Sequence, residues 1–389
     1  VRILCVSAQA LFPETRFGGA KRLYYLAKAL DANADLDLIH LDGCDEVRDP
    51  ATFSPPFRRS LFLPRESLTS FELGPVIPEA SKAVRRGLEA VRGFVGETRY
   101  DATLLCFPSA LYFLERDLVP HPGKIAYLED DLHLERLRHD ASAAPRLSRR
   151  LLKRARFLQT RGFYRRNLRR VSAFLCISPQ EAEIARREWG TPTPLIGYGI
   201  PLEDYPVLPP PRRGHVLGFI GNYRHLPNLD AARWLAETLF PAVLERAPDA
   251  RLVLCGAGFP DALRARCAAN PSIDVLDEVE DLAEFYARIS VFVNPLREGR
   301  GLRTKVVEAA AYGRPVVSTP LGAEGLEGFE LGLFETPAEF TAGVLALDDP
   351  ETAERAVRRN RAETERLFSL DAVGRRLLRL LGPEEAAPA

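Results

Sequence analysis

The chain has 389 residues, 46% hydrophobic and 27% charged, an ordinary globular balance in a chain too long for one core. Its 53 basic and 53 acidic side chains cancel, so the molecule as a whole has no electrostatic commitment to nucleic acid. No run reaches the length of a membrane span, and residues 1–8 lack the apolar core of a signal peptide, which predicts a cytoplasmic protein, at most peripheral at the inner face of the cell membrane.

In chain order, residues 2–7 read as a strand and 20–30 as a helix with Leu23, Leu26, Ala27 and Leu30 on one face. Residues 35–41 read as a strand, 79–95 as a helix, and 101–107, 124–128 and 171–177 as further strands. This is the rhythm of a parallel, doubly wound α/β sheet. Pro206 and the triplet Pro209-Pro210-Pro211 make residues 206–214 a stiff linker. A second series follows, with strands at 215–220, 251–255, 273–276, 290–293 and 315–318 and helices at 228–246, 260–269 and 281–288. Two such series predict a ligand between their strand C-terminal ends. Residues 371–381 form an amphipathic helix with Val373, Leu377, Leu378 and Leu381 available for burial. Residues 53–72 read as loop. Cys5, Cys106, Cys176 and Cys255, four of six cysteines, lie in apolar runs and read as buried thiols in a reducing compartment.

Five segments carry chemistry. Phe17-Gly18-Gly19-Ala20-Lys21 joins the first strand to the first helix, where glycines let a ligand approach the backbone. Glu129-Asp130-Asp131-Leu132-His133 leaves the strand at 124–128; its acids fit cleft catalysis, capping of the next helix, or a metal. Residues 146–170 carry eleven Lys/Arg and no acid, with Leu147, Leu151, Ala155 and Leu158 at helical spacing: a basic amphipathic helix suited to an anionic membrane or partner, or a solvated arginine-rich face. Gly221-Asn222-Tyr223-Arg224-His225-Leu226-Pro227-Asn228 enters a helix with Asn228 as its N-cap. Residues 294–319 are the most informative. A β-branched run enters a Gly/Arg-rich loop, which opens a helix with Arg303 and Lys305 in its first turn, where they oppose the helix dipole unless an anion meets them. Glu308 follows on the face of Lys305.

The loop Pro295-Leu296-Arg297-Glu298-Gly299-Arg300-Gly301-Leu302-Arg303-Thr304-Lys305-Val306-Val307-Glu308-Ala309, followed by Pro315-Val316-Val317-Ser318-Thr319 and Gly322-Ala323-Glu324-Gly325-Leu326, resembles the signature of retaining GT-B glycosyltransferases of family 4, in the subgroup with Gly-x-Arg-x-Lys-x-x-Glu. The resemblance is strong over residues 216–326 and loose before Asp131. It implies two Rossmann-like doubly wound domains facing a central cleft: an acceptor-side domain at 1–205, the linker at 206–214, a nucleotide-sugar domain at 215–366, and a helix at 367–389 crossing back. The implied activity is retaining transfer of a hexose from a nucleotide-diphosphate sugar to an acceptor hydroxyl on a glycan, lipid-linked saccharide or small molecule.

No metal and no cofactor beyond the donor is implied. Gly18, Gly19, Asn222, Gly301, Leu302, Arg303, Lys305, Glu308 and Glu324 would bind the donor, with Arg303 and Lys305 on the diphosphate and Glu308 on the ribose. Asp131 and His133 would orient sugar and acceptor. Most relatives carry an acid where this chain has Arg300; Glu298 lies two residues earlier. The expected partners are the nucleotide sugar, a saccharide or lipid-linked acceptor, and an anionic membrane through 146–170, with no nucleic acid. A GT-B epimerase or phosphorylase, or a non-catalytic nucleotide-sugar-binding subunit, are the alternative readings.

Overall fold

The computed structural model describes residues 1–7, 18–41, 57–63, 82–119, 123–129, 133–143, 147–209, 215–299 and 301–382. The chain forms two compact units: Val1–Gly199 with Leu370–Ala389, and Ile200–Ser369.

The first unit is built on β1 (Arg2–Ser7), β2 (Asp35–Leu41), β3 (Phe57–Leu63), β4 (Ala102–Cys106), β5 (Lys124–Leu128) and β6 (Ala173–Leu175). They form one parallel sheet in the order β3-β2-β1-β4-β5-β6. Side chains alternate between its faces. Ile3 and Cys5 of β1 pack on Leu26 and Leu30 of the Gly18–Asp31 helix and on Val373, Leu377 and Leu381 of the Leu370–Leu381 helix. Leu4 and Val6 face the other way, toward Val91, Phe163 and Tyr164. Helices on both faces explain why these strands read as continuous apolar runs. Gly374 belongs where the C-terminal helix meets the first one, because a Cβ there would lie 2.2 Å from the Ala29 carbonyl oxygen.

Residues 57–63 are a correction, since they were read as loop. Phe-Arg-Arg-Ser-Leu-Phe-Leu does not look like a strand, but it pairs along β2 as an edge. Its Arg59 donates to buried Asp37, which also accepts from Arg2 and from the Tyr100 hydroxyl at 2.7 Å. Burial opposes ionisation of Asp37, but bonds from Arg59, Tyr100 and Arg2 outweigh it and hold the carboxyl below its ordinary pKa.

The second unit repeats the plan with β7 (Val216–Ile220), β8 (Arg251–Cys255), β9 (Ile273–Leu276), β10 (Val291–Asn294), β11 (Val316–Ser318) and β12 (Gly332–Leu333). The parallel order is β12-β11-β10-β7-β8-β9, the same topology in each unit. Strand order reverses between β7 and β10, so the loops leaving these two strands open a crevice at their C-terminal ends. The helix expected at 228–246 runs as Leu226–Trp234, a π turn Leu235–Leu239, and Phe240–Leu244. Pro241, with no N–H to give, falls where the π turn ends.

The expected linker is only partly separate. Residues 205–209 are bonded into the second unit: Leu208 N–H donates to the Tyr312 carbonyl, Arg314 donates to the carbonyls of Leu208 and Pro209 at 2.7 and 2.9 Å, and Arg361 donates to that of Tyr205. Gly313, at φ +73°, receives Val207 where a Cβ would sit 2.7 Å from Val207 Cγ1. Residues 210–214 lie outside the described residues.

Candidate functional site

The site of the second unit forms where the loops after β7 and β10 meet. Gly299 and Gly301, at φ +114° and +92°, bend the loop after β10 through conformations that side-chain-bearing residues avoid. The loop then enters the Thr304–Ala311 helix with Arg303 as its N-cap, no side-chain cap and no acid in the first turn. Backbone carbonyls meet part of this end, with Thr304 N–H donating to Leu302 and Val306 N–H to Arg303 at 3.0 and 2.9 Å, and no side chain does.

Two cations occupy this corner. Arg303 is buried; its Nε donates to the Leu321 carbonyl at 3.0 Å, and its Nη2 donates to the Gly299 carbonyl at 3.3 Å and lies 3.6 Å from Glu324. Burial lowers its pKa, and Glu324 works against that shift. Lys305 Nζ donates to Asn228 Oδ1 at 2.5 Å and lies over the Phe219 ring at 4.7 Å. Burial pulls the Lys305 pKa down to about 8; Glu308 pushes it up and Arg303 down. A Cβ at position 221 would come 3.0 Å from Nζ, so Gly221 gives the lysine its room. A cavity of about 180 Å³ lies between these groups, lined by Asn228, Asn294, Glu298, Arg303, Thr304 and Lys305 among others.

Gly301, Leu302, Arg303, Lys305, Glu308 and Glu324 therefore belong to one region, around the loop, the helix it opens and the Leu321–Ala323 turn. Asn222 behaves differently. Its Oδ1 accepts from Arg224 N–H and closes the turn, while its carbonyl accepts from Asn228 Nδ2. Asn228 is not the N-cap expected of it; the helix starts after His225, and Asn228 is in the first turn, where its amide bridges the β7 loop to Lys305. Phe219, Asn228 and the Leu321 carbonyl are the site groups that sequence reasoning missed as contacts of the cations. Only the placement of Asn228 beside a glycine turn hinted at a role.

In the first unit, Gly18 and Gly19 open the Gly18–Asp31 helix. Asp131 lies outside the described residues, as do Asp130, Leu132 and Arg300. His133 begins the His133–Ala143 helix, and its N–H donates to Glu129 Oε1 at 3.1 Å. Glu129 is turned inward, accepting also from the hydroxyls of Tyr127 and Tyr164 at 2.5 and 2.7 Å. Burial raises its pKa to about 7 against the pull of these bonds. Of the readings open for this acidic run, Glu129 takes the capping one. Among the described residues, no three His, Cys, Asp or Glu side chains gather as a metal site.

Residues 214–349 match the family Glycosyl transferases group 1. A protein of Klebsiella pneumoniae described as an uncharacterized 44.6 kDa protein in the cps region is 28% identical over 114 residues, 28% of this chain and 29% of that protein. A phosphatidyl-myo-inositol mannosyltransferase of Propionibacterium freudenreichii subsp. shermanii is 27% identical over 202 residues, 48% of this chain and 50% of that one. The chain thus spans half or less of the length of these relatives. Whole-chain likenesses come from structures. Sucrose-phosphate synthase from Thermosynechococcus elongatus superposes with a TM-score of 0.62 at 19% identity, covering 97% of this chain and 98% of that one. HepE of Anabaena, in complex with UDP and glucose, gives 0.59 at 15%, with 97% and 98% covered. The chain has the GT-B glycosyltransferase fold. Among the described residues, no helix is long and apolar enough to cross a membrane.

Proposed function

We propose that the protein is a glycosyltransferase that moves a hexose from a nucleoside-diphosphate sugar to an acceptor hydroxyl, with retention at the anomeric carbon and without a resident metal. The observation that carries this reading is the pair Arg303 and Lys305, drawn from a helix start that has no capping side chain and set around one small cavity. Buried cations with depressed pKa values are costly to the apo protein, and an anion of two phosphates relieves that cost. The arginine fork and the lysine point charge would neutralise the departing diphosphate, the role a divalent ion would otherwise take. Glu308 would accept from the ribose hydroxyls. The complexes of Anabaena HepE with UDP and with UDP-glucose support a nucleotide-sugar donor. The mannosyltransferase relative and the cps-region relative support a cell-envelope saccharide or lipid-linked acceptor.

In the same reading Gly18 and Gly19 border the donor, and His133 with Asp131 orients the sugar and acceptor. The test is a nucleotide-sugar panel incubated with the protein in a metal chelator. Slow release of nucleoside diphosphate without acceptor, lost in Lys305→Ala, is the expected result. Conversion of the sugar to an epimer without release would assign an epimerase instead. Binding of nucleoside diphosphate with no release on any acceptor would assign a non-catalytic subunit.

A further inference from the structure

The Leu147–Leu168 helix has two unlike parts. Its C-terminal turns bury Thr160, Phe163, Tyr164, Asn167 and Leu168 in the core. Its first turns leave their leucines in the open: Leu147, Leu151, Leu152 and Leu158 are 72%, 60%, 73% and 55% exposed. At about 100° per residue, Leu147, Leu151 and Leu158 project within about 40° of one another, and Ala155 and Leu152 extend the stripe to about 140°. Arg150 and Arg154 border one edge of that stripe, Arg149 and Arg156 the other. The His133–Ala143 helix packs on a different face, where Arg138 lies 5.5 Å over the Phe157 ring and Lys153 Nζ is 3.9 Å from Asp140. Arg161, Arg166 and Arg170 are paired with Glu188, Glu115 and Asp117. Among the described residues, no carboxylate pairs with Arg149, Arg150, Arg154 or Arg156. The first turn of the helix also lacks an acid, so its cations oppose the helix dipole.

We propose that this face docks on an anionic lipid bilayer, with the leucine stripe entering the interfacial region and the bordering arginines on the phosphate headgroups. An apolar stripe edged on both sides by unpaired cations fits such a surface by both shape and charge. A second copy of this chain is disfavoured, because stacking two such faces brings like charges together. Nucleic acid is disfavoured too: Phe157 is half-buried under Arg138, and Phe163 and Tyr164 are 1% exposed, so the helix offers no ring for base stacking. The proposal sharpens the peripheral-membrane expectation to named side chains and uses nothing of the nucleotide site.

The experiment is co-sedimentation of the full chain with vesicles of phosphatidylcholine, with or without phosphatidylglycerol, at low and high salt. Two variants accompany it: Leu147→Ser/Leu151→Ser/Leu158→Ser, and Arg149→Gln/Arg150→Gln/Arg154→Gln/Arg156→Gln. The altered side chains are exposed, and circular dichroism with nucleoside diphosphate binding checks that both variants fold. The wild type sediments with phosphatidylglycerol vesicles and stays in solution with phosphatidylcholine alone. Each variant loses affinity by at least about tenfold, since either half of the two-part contact is then missing. A wild type that ignores anionic vesicles at low salt overturns the proposal. A leucine variant that sediments like wild type does so as well. Analytical ultracentrifugation showing a dimer that the leucine variant dissolves would give the face to a second copy instead. Failure of nucleotide binding in all forms would count against the proposed function and leave the vesicle result standing.

Discussion

Lys305 Nζ donates to Asn228 Oδ1 at 2.5 Å across 77 residues of sequence, joining the helix after β7 to the helix after β10. This bond fixes the ammonium beside the cavity, and burial there lowers its pKa to about 8. An anion needs the protonated form. Affinity for a nucleoside diphosphate should therefore be level just below pH 8 and fall by about tenfold per unit above it. Calorimetry across that range reads the effect, and Lys305→Arg should flatten it. In the unliganded protein the sign is opposite: the folded pKa lies below the unfolded one, so stability rises as pH climbs from about 8 toward lysine's ordinary value.

Glu308→Gln keeps the volume of the side chain and removes its charge. If Glu308 holds the ribose, a ribonucleotide should lose about 1.5–3 kcal/mol of binding, the range for hydrogen bonds to a charged group. A 2′-deoxyribonucleotide should lose far less. Equal losses in parallel titrations would assign Glu308 to the scaffold.

Glu129 gives the first unit a pH dependence of its own. Its folded pKa of about 7 is raised above its ordinary 4.5. Its contribution is then fully present below that ordinary value and is lost as pH rises through about 7. Thermal unfolding should show stability falling between these limits, by up to about 3 kcal/mol. Glu129→Gln should remove most of that slope; an unchanged slope would mean another group titrates.

Arg314 is a structural counterpart to the site cations. It is buried with its guanidinium on two backbone carbonyls, and burial lowers its pKa to about 10. Arg314→Met should cost about 1.5–3 kcal/mol, because the Leu208 and Pro209 carbonyls lose a charged donor. Proteolysis should then become faster near residues 205–209. Unchanged proteolysis would show that the Tyr205 ring against Tyr312, 5.0 Å between centroids, and the Arg361 bond to the Tyr205 carbonyl suffice to hold the segment.

The strands were legible where burial on both faces makes apolar runs, as in Arg2–Ser7, Lys124–Leu128 and Arg251–Cys255. β3 was not, because an edge strand with Arg58 and Arg59 carries no such run; its place is set by Asp37, which is distant in sequence. The cation pair of the site was legible because it is local to one loop and one helix. Its partners were not: Phe219 and Asn228 come to Lys305 through sheet order, which no local pattern encodes. The linker looked uniform by its prolines, yet Arg314 pins its Leu208 and Pro209 carbonyls, and Arg361 holds Tyr205 just before it, long-range bonds that periodicity does not report.

The central claim is that Arg303 and Lys305 bind a diphosphate. Equilibrium titration of UDP, GDP and ADP beside their nucleosides, in a metal chelator, with wild type and Lys305→Ala, tests it most directly. The account predicts that one diphosphate binds wild type far more tightly than its nucleoside, and that Lys305→Ala removes about 1.5–3 kcal/mol of that difference while nucleoside affinity hardly changes. Equal loss for nucleoside and diphosphate, or no diphosphate bound until a divalent metal is restored, would contradict it.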